Sequence, residues 1–199
     1  MTALYIGTGK LEKYLVEKLG NKIQTHPEIK MTLLMDYMRG TRANKKGESS
    51  QTLLSPLKVD NFGKQVRVGF YHHPDTGMLK GKYSSGPMKE IFGIHHMKAH
   101  VFDNNLLVTG ANLSEDYFTD RQDRCMVIQD CEPLADYFDD LIQVMTDCSF
   151  NVDNNGDLRM LPTYPEPYKE PKKFRNQMQH HIKYFRYNHK TEIPAGDDL

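Results

Sequence analysis

Short apolar runs that alternate with stretches of helical periodicity constrain the fold of this chain most strongly. The first run covers 3–6 and ends in Gly7-Thr8-Gly9; apolar residues then recur every three to four positions until Gly20, which we interpret as a helix end. Further strands are predicted over 29–37, 66–71, 96–103, 106–109 and 125–129, and further helices over 113–119, 133–146 and 172–190. This alternation predicts an α/β fold with one mixed β-sheet flanked by helices.

The pattern weakens near residue 150, which divides the chain into two predicted parts. Residues 1–150 form the half-domain of alternating strands and helices, and residues 151–199 form a hairpin, a proline-rich linker and a basic amphipathic helix. Residues 168–190 hold seven Lys or Arg and one acid, Glu170. That helix either lies on an anionic membrane surface or packs on its own domain or an absent half, and we favour packing.

Charge and hydropathy exclude several classes of protein. Lys plus Arg and Asp plus Glu both number 26, so no global field attracts nucleic acid, and no nucleic-acid partner is expected. No segment approaches the roughly 18 to 20 apolar residues of a membrane-spanning helix, so any membrane contact is expected to be peripheral. The three cysteines are odd in number and lack metal-ligand spacing, which predicts neither a disulfide framework nor a metal site.

His96 and Lys98 carry the clearest chemistry in the sequence. Side chains alternate between the faces of a strand, so both are predicted to project on the face shared by His100 and Phe102. A neutral imidazole can attack phosphorus while a nearby ammonium holds the non-bridging oxygens and stabilises the charge of the transition state. We therefore predict phosphodiester chemistry here, with a packing role favoured for His100.

A small turn follows this strand at a fixed distance. Six residues separate Asp103 from Gly110-Ala111-Asn112, where backbone N–H groups and an amide can reach the same phosphate oxygens. Asn112 followed by Glu115 is also the pattern of a helix capping box, and both roles are compatible. Asp103 either shapes the turn before Asn104-Asn105 or supports the site, and the residues alone favour neither.

The segment HMKAHVFD (96–103), followed at this spacing by GANLS (110–114), resembles the HxKxxxxD signature of the phospholipase D superfamily. The usual GSxN of that superfamily is GAN here, without the serine and one residue shorter. Three further segments resemble eukaryotic phosphatidylglycerophosphate synthases, in their N-terminal half: LYIGTGKLEKYLV (4–16), LLMDYMRGTR (33–42) and GANLSEDYFTDRQDR (110–124).

The resemblance implies a phospholipase-D-like fold and a reaction. It implies that His96 attacks the phosphatidyl phosphorus of CDP-diacylglycerol and that CMP leaves. Glycerol 3-phosphate is then expected to resolve the phosphatidyl-histidine and to give phosphatidylglycerophosphate. This product would serve the synthesis of phosphatidylglycerol and cardiolipin. It implies no metal and no organic cofactor. It assigns catalysis to His96, Lys98 and Asp103, phosphate binding or orientation to Asn112 and Ser114, and orientation of His96 to Asp123.

The resemblance also implies an association with the mitochondrial inner membrane. The opening residues MTALYIG show no transit or signal pattern, so we expect that targeting information has been lost or that the chain begins inside a longer protein.

The family places a second HxKxxxxD motif, whose histidine is the general acid, in a C-terminal half. His181-Ile182-Lys183 resembles the start of this motif, with Asn188 in place of its aspartate. These residues lie in a helical pattern, however, and side chains two positions apart on a helix point in different directions. We therefore expect this chain to be inactive alone unless a missing half or a second chain completes the site.

Two other functions stay open. One is a single-motif phosphodiesterase or nuclease that completes its site as a dimer, and the other is an inactive isoform that binds lipid. Arg39 and Arg42 could bind substrate phosphate, although solvated loop cations are commoner. The role of the loop predicted over 74–92 is undecided.

Overall fold

The computed structural model describes residues 1–57, 65–77 and 94–190. Its α-helices are α1 (Lys10–Thr25), α2 (Tyr37–Gly40), α3 (Ser50–Leu54), α4 (Glu115–Thr119), α5 (Glu132–Asp147) and α6 (Pro171–Asn188). Its strands are β1 (Met31–Asp36), β2 (Val66–Tyr71), β3 (Ala99–Phe102), β4 (Asn105–Thr109), β5 (Cys125–Ile128), β6 (Phe150–Val152) and β7 (Leu158–Arg159). The loop predicted over 74–92 is described only as a 3-10 turn, Pro74–Gly77, and the remainder lies outside the described residues.

The strands form a mixed arrangement in two parts. One sheet has the order β1-β2-β6-β7, in which β1 and β2 are parallel and the other pairs are antiparallel. The other is the antiparallel sheet β3-β4-β5. The first residues connect the two, because Thr2 N donates to Ala99 O at 2.9 Å and Leu34 N donates to Met1 O at 3.0 Å. The predicted α/β class with a mixed sheet flanked by helices is therefore confirmed.

Helices cover both faces of this sheet. Leu33 of β1 packs into a core that includes Val16 of α1, whereas its neighbour Leu34 packs into a second core with Ile142 of α5 and Phe174 of α6. Successive residues of β1 thus enter opposite cores, as the period of a strand requires. Burial on both faces explains why β1 reads as a continuous apolar run in the sequence.

Three predicted boundaries are wrong. Helix α1 continues past Gly20 to Thr25, because Ile23, only 2% exposed, anchors its last turn in the core. The strand predicted over 3–6 is replaced by isolated β-bridges, which Thr2 and Ile6 make. Strand β3 begins at Ala99, three residues after the predicted start.

The basic helix α6 packs on the rest of the chain, as favoured from its pattern. Phe174 and Phe185 are buried, and the Phe185 ring lies 5.0 Å from that of Tyr137 on α5. Its outer face exposes Tyr184 and Tyr187. Across the described residues, we find no helix with the length and apolarity needed to cross a membrane.

Asp103 occupies the β3–β4 turn with a left-handed φ of 50°. Bulky β-branched residues are strained there, whereas Asn tolerates this conformation. We expect Asp103→Val to lower the free energy of unfolding by about 1–2 kcal/mol and Asp103→Asn to change it by less than about 0.5 kcal/mol. Urea unfolding of both variants measures the difference, and equal losses would contradict a turn role.

Candidate active site

The His96–Lys98 segment approaches β3 as extended chain. Met97 and Val101 pack against the second core, with Leu34 and Phe174, whereas His100 faces a cavity on the opposite side. The predicted alternation of side chains therefore holds from residue 97 onward, although regular strand pairing starts later. Lys98 is 5% exposed, and its Nζ donates to the His96 carbonyl at 3.0 Å. This bond fixes the ammonium beside the nucleophile predicted from the sequence.

His96 is exposed on the surface of this segment. Its pKa lies below the ordinary value of a histidine, because of partial burial first and then the positive charges of Lys98 and Arg39. The imidazole is accordingly neutral near pH 7. A neutral imidazole flanked by two cations is suited to attack a phosphodiester, since the same cations attract the phosphate oxygens.

Asp36 holds Arg39 and the histidine segment together. It lies at the end of β1, is 2% exposed, and accepts hydrogen bonds from Arg39 N and His95 N, each at 2.9 Å. The Arg39 guanidinium also lies over the Tyr5 ring, 5.6 Å from its centroid. One buried carboxylate therefore connects the short helix α2 to the backbone immediately before His96.

His95 is buried on the side of the sheet opposite to this surface. Its Nε2 contacts Thr2 Oγ1, and its ring lies 6.1 Å from that of Tyr71. Burial lowers the pKa of His95 to about 4, with smaller contributions from Lys98 and His96. His95 is therefore a neutral, structural neighbour of the nucleophile.

Gly110 and Asp123 lie close to each other, and Asp123 is near Lys98. A Cβ at position 110 would lie 2.6 Å from Asp123 Oδ1, so glycine permits the carboxylate to approach. Burial lowers the pKa of Lys98 below its ordinary value, and the negative charge of Asp123 opposes this shift as the smaller effect. Among the described residues, Asp123 accepts a hydrogen bond from Arg124 N at 2.7 Å rather than from His96. Its orienting role towards His96 stays a prediction.

Asn112 and Ser114 are buried in the turn after β4. Neither Asn112 Oδ1 nor Ser114 Oγ has a hydrogen-bond partner among the described residues. The predicted capping box is wrong: α4 is preceded by Ser114, whose side chain makes no cap bond, and the buried Glu12 of α1 accepts from Glu115 N at 2.6 Å. Because Glu12 takes over this capping, the Asn112 amide does not serve the helix end.

Two sequence candidates lie apart from this group. Asp103 follows β3 at the end away from His96 and is exposed in its turn. His181 lies in helix α6, where its Nε2 pairs with the Tyr164 hydroxyl at 3.0 Å, while Lys183 is exposed. The structure thus brings together His96, Lys98, Asp123 and Arg39. The catalytic role of Asp103 stays a prediction.

Sequence reasoning undervalued Arg39 and missed Asp36. A signal for Asp36 was present, because Asp at the end of a buried strand and the start of a helix is a preferred N-cap residue. That the same carboxylate also bonds the His95 backbone depends on a contact 59 residues away. No local pattern reveals such a contact.

We expect Arg39→Gln to raise the pKa of His96, because it removes a positive charge that disfavours protonation. Arg42→Gln is the matched control, since Arg42 is not among the groups that shift this pKa. NMR titration of the His96 ring protons in phosphate-free buffer measures both. An unchanged pKa in Arg39→Gln would contradict the proximity of the two side chains.

Comparison with known proteins identifies relatives of one kind. No family model matches the chain. It is 35% identical over 175 residues to the mitochondrial CDP-diacylglycerol–glycerol-3-phosphate 3-phosphatidyltransferase of Mus musculus, which covers 85% of this chain and 31% of that protein. The corresponding protein of Gallus gallus is 36% identical, over 86% of this chain and 31% of its own length. That of Schizosaccharomyces pombe is 37% identical over 69% of this chain and 26% of its own length.

A solved structure supports the fold. The crystal structure of phosphatidylserine synthase from Haemophilus influenzae Rd KW20 superposes with a TM-score of 0.60 at 17% identity, covering 100% of this chain and 41% of that one. At this identity the likeness concerns the fold alone. The chain spans about a third of the length of the curated relatives it matches. It is therefore a homologue of one segment of the CDP-diacylglycerol–glycerol-3-phosphate 3-phosphatidyltransferases, as its motifs predicted.

Proposed function

We propose that this chain supplies the nucleophile for phosphatidyl transfer from CDP-diacylglycerol to glycerol 3-phosphate, with CMP and phosphatidylglycerophosphate as products. The observation that carries the proposal is the placement of the exposed His96 beside Lys98, whose Nζ donates to the His96 carbonyl at 3.0 Å, with Arg39 close enough to help lower the pKa of the imidazole. It provides a neutral nucleophile and two cations at one place. The names of the relatives, which include both substrates, support this choice of reaction.

In the first step the neutral His96 imidazole attacks the phosphorus that bears the diacylglycerol. A P–N bond forms, the bond from phosphorus to the bridging oxygen of CMP breaks, and CMP leaves with that electron pair. Lys98 and Arg39 attract the oxygens of the pentacoordinate transition state. The Asn112 amide, buried in the turn beside Gly110, is the further group that we assign to these oxygens.

In the second step a hydroxyl of glycerol 3-phosphate attacks the phosphatidyl-histidine. A P–O bond forms, the P–N bond breaks, and the electron pair returns to the His96 nitrogen, while the hydroxyl proton passes to a general base. We assign that base, which is the general acid of the first step, to a second histidine from another segment of a longer protein or from a second chain. His181 on α6 does not fit this role, since it pairs with the hydroxyl of Tyr164, which precedes that helix.

The lipid substrate requires contact with a membrane surface, and we propose that the contact is peripheral. Exposed Tyr184 and Tyr187 on basic helix α6 provide aromatic groups suited to a membrane interface. We further propose a mitochondrial location at the inner membrane, supported by the word mitochondrial in the names of the mouse and chicken relatives.

The decisive experiment measures CMP release and lipid product from CDP-diacylglycerol in mixed micelles, with and without glycerol 3-phosphate. For this chain as a monomer we expect release 10²- to 10⁴-fold slower than for a relative that carries both histidines, the factor associated with general acid–base assistance. Turnover by the monomer at the rate of such a relative would reject the need for a second histidine. Cleavage of bis(p-nitrophenyl) phosphate without any phosphatidyl transfer would favour the phosphodiesterase alternative and reject the proposed reaction.

A further inference from the structure

We propose that a cavity of about 350 Å³ beside Asn112 binds an acyl chain and the adjoining ester group of the lipid substrate. The cavity lies between α1, the β3–β4 hairpin and α4. Its apolar lining includes Leu15, Phe102, Leu107, Leu113 and Phe118. The proposal rests on the proposed function, because it assigns a place to the part of the substrate that the phosphate-binding residues leave outside.

The lining selects against the charged parts of both substrates. None of the described side chains that form this cavity carries a formal charge at pH 7, and most are apolar. Transfer of a phosphate into such surroundings without a counter-ion is unfavourable. A volume of this size lies at the low end of ligand pockets and suits one chain rather than the whole diacylglycerol.

One polar atom in the wall, His100 Nδ1, points to an ester rather than to a hydrocarbon alone. His100 and Asn112 are 3% and 5% exposed, and His100 Nδ1 and Asn112 Oδ1 have no hydrogen-bond partner among the described residues. Buried polar atoms without partners are destabilising, so a ligand that pairs with them binds more tightly. The neutral His100 imidazole can carry its N–H at Nδ1 and donate it to an ester carbonyl, whereas Asn112 Oδ1 is an acceptor and does not pair with an ester.

The cavity is lined by His100, on the chain segment that directly follows the proposed catalytic residues. His100 follows Lys98 by two residues, about 7 Å along an extended chain. A phosphate held at Lys98 therefore leaves the glycerol esters near His100. Asn112 belongs to both places, since it lines the cavity and lies in the turn predicted to bind phosphate.

Aromatic side chains stand at the opening of the cavity. Phe102 and Phe118 line it and are 51% and 45% exposed. Half-exposed aromatic rings are favourable at the boundary between water and lipid. An acyl chain can therefore enter from a bilayer without first crossing water.

The test uses dihexanoylglycerol, a lipid without phosphate, and follows the NMR signals of the His100 ring and the Leu15 methyl groups. Leu15→Phe fills the cavity and should weaken binding at least about tenfold. The matched control, Leu19→Phe, lies one turn further along α1, outside the lining, and should leave binding unchanged. His100→Leu should weaken the binding of dihexanoylglycerol by about five- to tenfold, which corresponds to the loss of one hydrogen bond. The binding of the dihexyl ether analogue, which lacks carbonyls, should not change.

Several outcomes would overturn this assignment. The first is an absence of saturable NMR shifts on addition of dihexanoylglycerol. The second is a loss of affinity in Leu19→Phe as large as that in Leu15→Phe. The third is an equal loss of affinity for the ester and for the ether in His100→Leu. Concentration-dependent self-association that Leu15→Phe abolishes would identify a second copy as the occupant instead. Because the ligand has no phosphate, His96→Ala should bind it normally. Binding without any His96-dependent covalent labelling by CDP-diacylglycerol would reject the proposed function alone, and labelling without binding would reject the cavity alone.

Discussion

Replacing His96 by alanine is expected to abolish covalent labelling of the chain by radioactive CDP-diacylglycerol. The P–N bond of the proposed intermediate forms at this imidazole, so no other described histidine should accept the phosphatidyl group. Loss of a catalytic nucleophile costs about 10³-fold or more in rate. Trapping at short times, followed by peptide mapping under alkaline conditions that preserve phosphohistidine-type bonds, measures the result.

His181→Ala is the control for this experiment. His181 on α6 belongs to the segment that mimics a second motif, yet it is hydrogen-bonded to Tyr164, which precedes the helix. Labelling should therefore persist in His181→Ala. The opposite pattern, with label lost in His181→Ala and retained in His96→Ala, would reverse the assignment of the nucleophile.

Acidification from pH 6.5 to 4 is expected to destabilise the fold by several kcal/mol. Burial lowers the pKa values of His95 and His100 to about 4, whereas a histidine in the unfolded chain titrates near 6.5. Between these values the unfolded state binds more protons, so the free energy of unfolding falls as pH falls. The stabilisation is complete above pH 6.5 and amounts to about 3 kcal/mol for each histidine.

Urea unfolding at pH 7 and at pH 4.5 tests this dependence in the wild type and in two variants. His100→Leu should reduce the difference between the two pH values by about half, because one of the two titrating groups is removed. His180→Gln, at an exposed position on α6, should leave the difference unchanged. A difference of the same size in all three proteins would show that the buried His100 does not control acid stability.

Much of the fold could be predicted because the relevant signals are local. Strand β2 was predicted to the residue, and β4, β5, α5 and α6 to within about one or two, since periodicity and Pro or Gly boundaries act over a few positions. The end of α1 could not be predicted, because the burial of Ile23 by the sheet overrides the weak helix propensity of Gly20.

In the candidate site, the nucleophile could be predicted from the sequence, but the residues that position it could not. His96 and Lys98 follow from strand alternation and spacing, whereas the contribution of Arg39 depends on the bonds of Asp36 to two distant parts of the chain. The capping of α4 likewise depends on Glu12, 103 residues earlier. Contacts of this kind are set by tertiary packing, so a single sequence indicates the nucleophile better than the groups that position it.

The placement of the first residues between β1 and β3 has a consequence for how the protein is made. During synthesis Thr2 leaves the ribosome long before Ala99, the residue to which its backbone N–H is hydrogen-bonded. The β3-β4-β5 hairpins can form locally, but joining them to the parallel pair closes a loop of almost a hundred residues, and such non-local pairing is slow. Until that step the chain exposes a strand edge of Leu34 and its neighbours, which makes the nascent half-sheet a candidate substrate for chaperones.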